Sequence, residues 1–111
     1  MRKRHRAPAA ASVFAALGDE TRLRLIARLS EAGPMSIAGL ADGFDISRQA
    51  ISKHLRVMSD AGLARSGRRG REMLWQLEPG GLTTAQRYLD AISRDWDDKL
   101  LRLRHMVEIG E

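Results

Sequence analysis

The chain has 111 residues, of which 43% are hydrophobic and 30% charged, enough for one small domain with a single core. It contains no cysteine, which excludes disulfides and thiolate metal sites. No apolar run approaches the ~20 residues that cross a bilayer, and the basic N-terminus lacks the apolar segment of a signal peptide. We therefore expect a soluble cytoplasmic protein with no membrane partner.

The N-terminal segment differs from the rest of the chain. Residues 1–8 contain four Arg or Lys residues and no apolar cluster, so a disordered basic arm is predicted there. Residues 9–111 are predicted to form one domain.

Two helices are predicted at the start of this domain. The first covers residues 9–17, and Gly18 and Asp19 end it and cap the second, which stops at Gly33-Pro34. Their apolar repeats consist of Val13, Phe14 and Leu17 on the first helix and of Leu23, Ile26 (or Leu25) and Leu29 on the second.

A helix-turn-helix is predicted next. Ser36 is the expected N-cap of a short helix that Gly43 ends, and Ser47 is the expected N-cap of a longer helix that ends near Asp60. Two helices joined by a short glycine-containing turn are typical of this motif.

The longer helix has two chemically different faces. Its apolar residues follow i, i+4, i+7 spacing, which predicts a stripe packed on the core: Ile51, Leu55 and Met58. The opposite side carries donors and no acid: Arg48, Gln49, Ser52, Lys53 and Arg56. Arg and Gln can each form paired hydrogen bonds with base edges, and Lys suits phosphates, so this face fits the major groove of DNA. An ordinary solvated surface is the alternative.

The basic residues are concentrated in one part of the chain. The net charge is +5, and between Ile46 and Arg71 seven Arg or Lys residues stand against one acid, Asp60. A local field of one sign predicts a polyanionic partner, although a solvated charged surface is again the alternative.

A β-hairpin followed by a long helix completes the predicted domain. The hairpin has strands on either side of residues 67–70 and a basic tip that can reach phosphates, unless it is only a mobile loop that arginine keeps soluble. The last helix, predicted for residues 82–108, has apolar residues at coiled-coil-like spacings of three and four: Leu82, Ala85, Leu89, Ile92, Trp96, Leu100, Leu103 and Val107.

Three segments carry a family resemblance: "ALGDETRLRLIARL", "LADGFDISRQAISKHLRVMSDAGL" and "GRRGREMLWQLEP". The second contains the motif Ser-x-x-x-x-Ser-x-His-Leu, formed by Ser47, Ser52, His54 and Leu55. From about Phe14 to the end of the last helix, the chain resembles the ArsR/SmtB family of winged-helix transcriptional repressors, and in particular its cysteine-free autorepressors. The resemblance implies a mainly α, dimeric winged helix-turn-helix fold of order α-α-α-α-β-β-α.

The resemblance also implies site residues. The predicted partners are double-stranded DNA, as an inverted-repeat operator, and a second copy of the chain. The DNA-contacting set comprises Ser36, Ser47, Arg48, Gln49, Ser52, Lys53, His54, Arg56, Arg68, Arg69 and Arg71. The set at the homodimer interface comprises Phe14, Leu17, Leu82, Leu89, Ile92, Trp96, Leu100 and Leu103. Repression, as opposed to activation, rests on the resemblance alone.

Metal, cofactor and catalytic sites are not expected. His105 and Glu108 have the i, i+3 spacing of two ligands, but the positions where the family carries their partners hold Ile92 and Arg94. No nucleophile–base pair or carboxylate pair is evident, so the chain is not expected to be an enzyme.

Other functions remain as alternatives. The last helix could serve a protein-interaction module that does not bind DNA. Binding of single-stranded RNA is disfavoured because the basic stretch has no aromatic residue for base stacking. Trp75 and Trp96 could line a small-molecule pocket, but core packing and dimer packing, respectively, are favoured for them.

Overall fold

The computed structural model describes residues 9–109. The elements are α1 (Ala9–Leu17), α2 (Glu20–Ala32), α3 (Ile37–Ala41), α4 (Arg48–Asp60), β1 (Ala64–Arg69), β2 (Glu72–Leu77) and α5 (Thr83–Ile109). This confirms the predicted order of elements and the mainly helical class. The predicted basic arm, residues 1–8, lies outside the described residues.

Helix α2 begins and ends where its capping residues predict. The Asp19 carboxylate accepts a hydrogen bond from the backbone N–H of Arg22 at 3.0 Å, and Gly33 follows the last turn with φ 81°. The helix buries Leu25 and Leu29. Leu23 is 50% exposed, so its predicted place in the apolar repeat was wrong. Of the alternatives Ile26 and Leu25, Leu25 is completely buried and Ile26 is half-buried.

One hydrophobic core lies between the helices and the base of the hairpin. Helix α4 is central to it, because it packs against α1, α2, α3 and β1. The largest completely buried side chains are Leu25, Leu40, Ile51, Leu55 and Met58. Three of these five belong to α4, so the core determines which face of α4 is left on the surface.

The hairpin formed by β1 and β2, here called the wing, is tighter than predicted. The strands pair in the register Gly67↔Leu74 and Arg69↔Glu72, so residues 67–69 belong to a strand and not to the turn. The turn contains only Gly70 and Arg71, with Gly70 at φ 63° in its first position, where type II′ turns favour glycine.

A third short segment pairs with the wing. Met35 and Trp75 exchange backbone hydrogen bonds of 2.9 and 2.7 Å, which tie the loop before α3 to β2. The Trp75 ring packs against the core, although its buried Nε1 has no partner among the described residues.

Helix α5 extends away from the core. It begins at Thr83, one residue after the predicted start, and its 27 residues span about 40 Å at 1.5 Å per residue. Among its described side chains only Ala85 is buried.

The loop before α5 is tightly packed, since a Cβ on Gly81 would lie 2.6 Å from the carbonyl oxygen of Gly62. Within residues 9–109, no helix combines the length and apolarity needed to cross a membrane.

Candidate DNA-binding surface

The polar face of α4 is held in place from the opposite side. Ile51, Leu55 and Met58 are 0% exposed and form the predicted stripe against the core. Because side chains four or seven residues apart lie on one face of a helix, burial of this stripe turns the polar side outward.

Most of the predicted α4 residues surround one shallow surface depression. This depression has a volume of about 480 Å³ and is lined by Ser47, Gln49, Ala50, Ser52, Lys53 and Arg56. Gln49, Lys53 and Arg56 are exposed, and Ser52 is half-buried. The lining residues carry hydrogen-bond donors and two cationic groups but no carboxylate, so the depression is chemically suited to an anion or to acceptor-rich base edges.

Two predicted residues of α4 do not line this depression. Arg48 is exposed at the first turn of the helix. His54 is half-buried and contacts α2: its Nδ1 lies 3.1 Å from Nη1 of Arg22 and 3.9 Å from the carboxylate of Asp19. Since each helical residue advances by about 100°, His54 lies about 200° from Arg56 around the axis, on the other side of α4.

The two predicted capping serines begin the helices of the motif. Oγ of Ser36 accepts from the N–H of Gly39 at 3.0 Å, and Oγ of Ser47 accepts from the N–H of Ala50 at 3.1 Å. A hydroxyl that accepts in this way can still donate its own hydrogen. Each cap therefore retains one donor at a helix N-terminus, where the partial positive charge favours anions.

Helix α2 braces the turn between α3 and α4, which the sequence did not indicate. Nη1 of Arg28 donates to the carbonyl oxygen of Asp42 at 2.6 Å, and Nη2 donates to that of Gly39 at 3.3 Å. The guanidinium of Arg24 lies 4.7 Å from the ring centre of Phe44, within cation–π range. Both arginines could be found from sequence only as polar residues of an amphipathic helix.

The wing arginines differ in their surroundings. Nη1 of Arg65 lies 3.5 Å from the carboxylate of Glu78, and the amide oxygen of Gln76, correctly oriented, accepts from the same guanidinium at 3.0–3.1 Å. The three arginines near the tip are exposed: Arg68, Arg69 and Arg71. Side chains alternate along a strand, so Arg68 and Arg69 project to opposite faces of the wing. The guanidinium of Arg65 is thus held by Glu78 and Gln76, whereas the tip arginines project into solvent.

Charge compensation is sparse over this surface. The ion pairs within residues 9–109 join Arg65 to Glu78, Lys99 to Asp95 and, if it is protonated, His54 to Asp19. None of these pairs includes a cation of the depression on α4 or of the wing tip. Unpaired cations on adjacent elements create a positive potential, which attracts polyanions and is weakened by salt.

The Asp19 carboxyl at the N-terminus of α2 has a lowered pKa. The hydrogen bond from the backbone N–H of Arg22 holds the pKa of Asp19 below its usual value. Burial acts in the opposite direction, whereas the positive charge of Arg22, and that of His54 when its ring is protonated, lower the pKa further.

The predicted dimer residues lie on α1 and along α5, except Leu82, which directly precedes α5. Phe14 and Leu17 are half-buried, and the ring of Phe14 contacts that of Tyr88 edge to face, with 5.9 Å between centroids. The other six are exposed: Leu82, Leu89, Ile92, Trp96, Leu100 and Leu103. Near the end of α5, an open apolar groove of about 780 Å³ runs beside Leu100, Leu103 and Val107. Leu100, Leu103 and Val107 are each more than half exposed within the described chain.

The residues considered for a metal site do not form one in the described part of the chain. His105 and Glu108 are exposed on α5, and no group of three or more potential His, Asp or Glu ligands is brought together between residues 9 and 109.

The short helix α3, the central helix α4 and the wing beside them define a winged helix-turn-helix protein. A family model described as a helix-turn-helix domain matches residues 17–66, from the end of α1 into β1. Comparison with known proteins extends this likeness to most of the chain.

Three similar proteins show which family the chain belongs to. An ArsR-like transcriptional regulator from Rhodococcus sp. RHA1 superimposes with a TM-score of 0.79 and 38% identity, over 88% of this chain and 92% of that one. The HTH-type transcriptional regulator Rv2034 of Mycobacterium tuberculosis is 33% identical over 93 residues, 84% of this chain and 83% of its own length. The arsenical resistance operon repressor of Escherichia coli is 31% identical over 79% of this chain and 75% of its own.

The chain therefore belongs to the ArsR/SmtB family of winged-helix transcriptional regulators, as the sequence motifs predicted. It is a sequence-specific DNA-binding regulator of transcription.

Proposed function

We propose that this protein is a homodimeric repressor that binds an inverted-repeat operator through α4 and the wing. The observation that carries the proposal is the exposed, acid-free depression on α4, whose opposite side is completely buried. A helix anchored in this way can enter the major groove without changing its orientation in the domain.

The polar residues of α4 divide the work of recognition by their chemistry. Arg48 and Gln49 lie in the first turn, where recognition helices meet base edges, and each can form two hydrogen bonds with one base. Lys53 and Arg56 follow on the exposed side and bind phosphates, as do the hydroxyls of Ser47 and Ser52. Ser36, at the N-terminus of α3, supplies one more phosphate donor.

The wing contributes affinity more than sequence preference. Arg68, Arg69 and Arg71 lie on a narrow two-stranded hairpin that can follow the DNA backbone or enter the minor groove. Their projection to different sides of the wing lets them contact phosphates of both strands.

The homodimer forms through α1 and α5. The exposed apolar stripe of α5 is too large to remain in water without cost, and α1 packs beside it through Phe14 and Tyr88. A twofold axis along this stripe places two copies of α4 on successive major grooves, which requires half-sites about 34–36 Å apart.

The sequence preference can be measured by selecting DNA fragments from a random pool with the purified full-length protein. We expect an inverted repeat to be enriched in ~150 mM salt with competitor DNA, because nonspecific binding is weak there. Since Ile92 and Arg94 cannot ligate a metal, the same repeat is expected with and without divalent metals. Equal recovery of all fragments would contradict the proposal.

Two variants then separate base contacts from phosphate contacts. Gln49→Ala is expected to cost about 1–3 kcal/mol on the selected operator and little on a scrambled one. Arg69→Ala is expected to weaken both equally and to reduce the slope of log K against log salt by about 0.9. Arg102→Ala, a matched loss of charge on α5, should change neither. Identical profiles for the first two variants would contradict the division of roles.

A further inference from the structure

Arg22 connects three helices through a single side chain. It lies in the first turn of α2, where its Nε donates to the carbonyl oxygen of Ala16 at 2.6 Å and its Nη2 donates to that of Ala15 at 3.4 Å. Its Nη1 lies 3.1 Å from Nδ1 of His54 on α4. The last carbonyls of a helix lack partners within that helix, so Arg22 both caps α1 and joins it to α4.

The chemistry of this contact determines the tautomer of His54. A guanidinium has only donors, so Nδ1 must accept the hydrogen bond and cannot carry the proton in the neutral ring. The competing arrangement, with Nδ1–H donating to Asp19, is disfavoured because that separation is 3.9 Å, beyond hydrogen-bonding distance. The neutral ring is therefore protonated at Nε2.

The contact adds a directional constraint to the one that the core stripe already imposes on the rotation of α4. Leu55, next to His54, is packed among apolar side chains, and such contacts are not directional. The bond from Arg22 is directional, and it reaches α4 on the opposite side from Arg56. It therefore limits rotation of α4 about its own axis, which would move the DNA-facing residues sideways in the groove.

The contacts of Arg22 also lead to α1, the helix that packs on α5. Phe14 of α1 contacts Tyr88 of α5, while Ala15 and Ala16 in the same turn of α1 accept from Arg22. The described chain thus contains a continuous path of contacts from α5, through α1 and Arg22, to His54.

We propose that Arg22 is a positioning residue for operator recognition, which sets the rotation of α4 relative to α1 through Nδ1 of His54. The inference rests on the proposed function, in which α4 is the recognition helix and α1 and α5 form the dimer interface. Arg22 itself does not touch DNA in this arrangement. Its effect is on selectivity, because a rotated α4 still presents positive charge to any duplex.

Four variants test the connection. In Arg22→Lys a single nitrogen cannot reach both Ala16 and His54 in the geometry of the planar guanidinium. In His54→Asn the amide oxygen takes the place of Nδ1 and keeps an acceptor for Arg22. In His54→Gln the amide lies further out, near the position of Nε2, and that acceptor is lost. The double variant Arg22→Lys/His54→Gln measures whether the two residues act together.

The expected result is a loss of selectivity that depends on the acceptor at Nδ1. Arg22→Lys and His54→Gln should each lower affinity for the selected operator about tenfold, as loss of a charge-assisted hydrogen bond implies, and leave affinity for scrambled DNA unchanged. His54→Asn should stay within about threefold of the wild-type protein, and the double variant should be no worse than either single variant. Thermal unfolding and solution mass identify any variant that has merely lost its fold.

A loss in His54→Asn as large as that in His54→Gln would overturn the proposal, because an acceptor at the position of Nδ1 would then not be sufficient. A larger loss in His54→Asn than in His54→Gln would overturn it too, because His54 would then act through Nε2 and not through Arg22. If Arg22→Lys selected the operator as well as the wild-type protein does, the proposal would also be overturned. The ¹⁵N shifts of the His54 ring in the DNA-free protein give an independent readout: we expect a protonated Nε2 in the wild-type protein and a mixture of tautomers in Arg22→Lys. A protonated Nδ1 would overturn the contact, whereas failure of the wild-type protein to select any sequence would instead overturn the proposed function.

Discussion

Helices α4 and α5 are both amphipathic, but their apolar residues have different surroundings. The 13 residues of α4 pack against α1, α2, α3 and β1, and its three stripe residues are completely buried. The 27 residues of α5 make their main contacts with α1, and Trp96 and Leu100 in its apolar stripe are more than half exposed. One helix has its apolar face covered within the chain, and the other has not.

This difference separates two tasks of the molecule. A recognition helix must hold donors in fixed positions, and α4 is held by core packing, by its serine cap and by the contact with Arg22. An assembly helix must leave its apolar face available until a partner arrives, and α5 leaves it uncovered. The same change should therefore have different consequences on the two helices.

The largest expected effect comes from shortening a leucine on each helix. Leu55→Ala on α4 should lower the free energy of unfolding by about 2–5 kcal/mol, because it leaves a cavity at a site with 0% exposure. Leu101→Ala on α5 should change it by less than about 0.5 kcal/mol, because that side chain is 58% exposed. Urea unfolding of both variants measures the difference. Similar losses would mean that α5 is as well covered as α4.

A charge on the apolar stripe of α5 should affect assembly more than folding. Leu100→Glu places a carboxylate at the centre of the proposed interface, where burial of an unpaired charge should weaken association by about 2 kcal/mol or more, roughly 30-fold in Kd. Ala91→Glu adds the same charge at an exposed position of α5 about 200° around the helix axis from Leu89, so it serves as the matched control. Sedimentation over a range of concentrations measures both. A monomeric wild-type protein would remove the basis of the comparison.

The elements of the fold could be predicted because local chemistry specifies them. Asp19, Ser36 and Ser47 each begin a helix at the predicted residue, and their side chains accept from the backbone as a cap requires. The turn of the wing was misplaced because glycine at 67 and glycine at 70 are equally suited to a turn by sequence. Pairing of Gly67 with Leu74 distinguishes them, and that pairing depends on the register of a partner strand.

The candidate surface was predictable in part, for the same reason. The residues lining the depression on α4 follow from helical periodicity, which is local. The braces at Arg22 and Arg28 depend on contacts across 32 and 14 residues, respectively, and on carbonyl groups at helix ends. In sequence these arginines are indistinguishable from solvated residues of an amphipathic helix, so only the packed structure reveals them.

The cap of α4 should make a smaller contribution to stability than its core stripe. Ser47→Ala removes the acceptor for the N–H of Ala50, and loss of a serine cap typically costs about 1 kcal/mol. Ser47→Asp keeps the acceptor and should retain stability, yet it places a negative charge at the DNA-facing end of α4 and should weaken operator binding. Unfolding and gel-shift titrations of the two variants give opposite rankings if both roles are correct. Equal stability of Ser47→Ala and the wild-type protein would show that α4 is held without its cap.

The smallest expected effect concerns Asp19, whose pKa is lowered in the folded state, first by the N–H of Arg22. A lowered folded pKa means that the carboxylate stabilises the fold above its unfolded pKa and that this contribution is lost as pH falls through the folded value. Asp19→Asn provides an uncharged cap of similar strength. The wild-type protein should therefore unfold at a higher temperature than Asp19→Asn at pH 7, and the gap should narrow as the pH is lowered below about 4, the usual value for an unfolded Asp. A gap that does not change with pH would show that the charge on Asp19 does not stabilise α2.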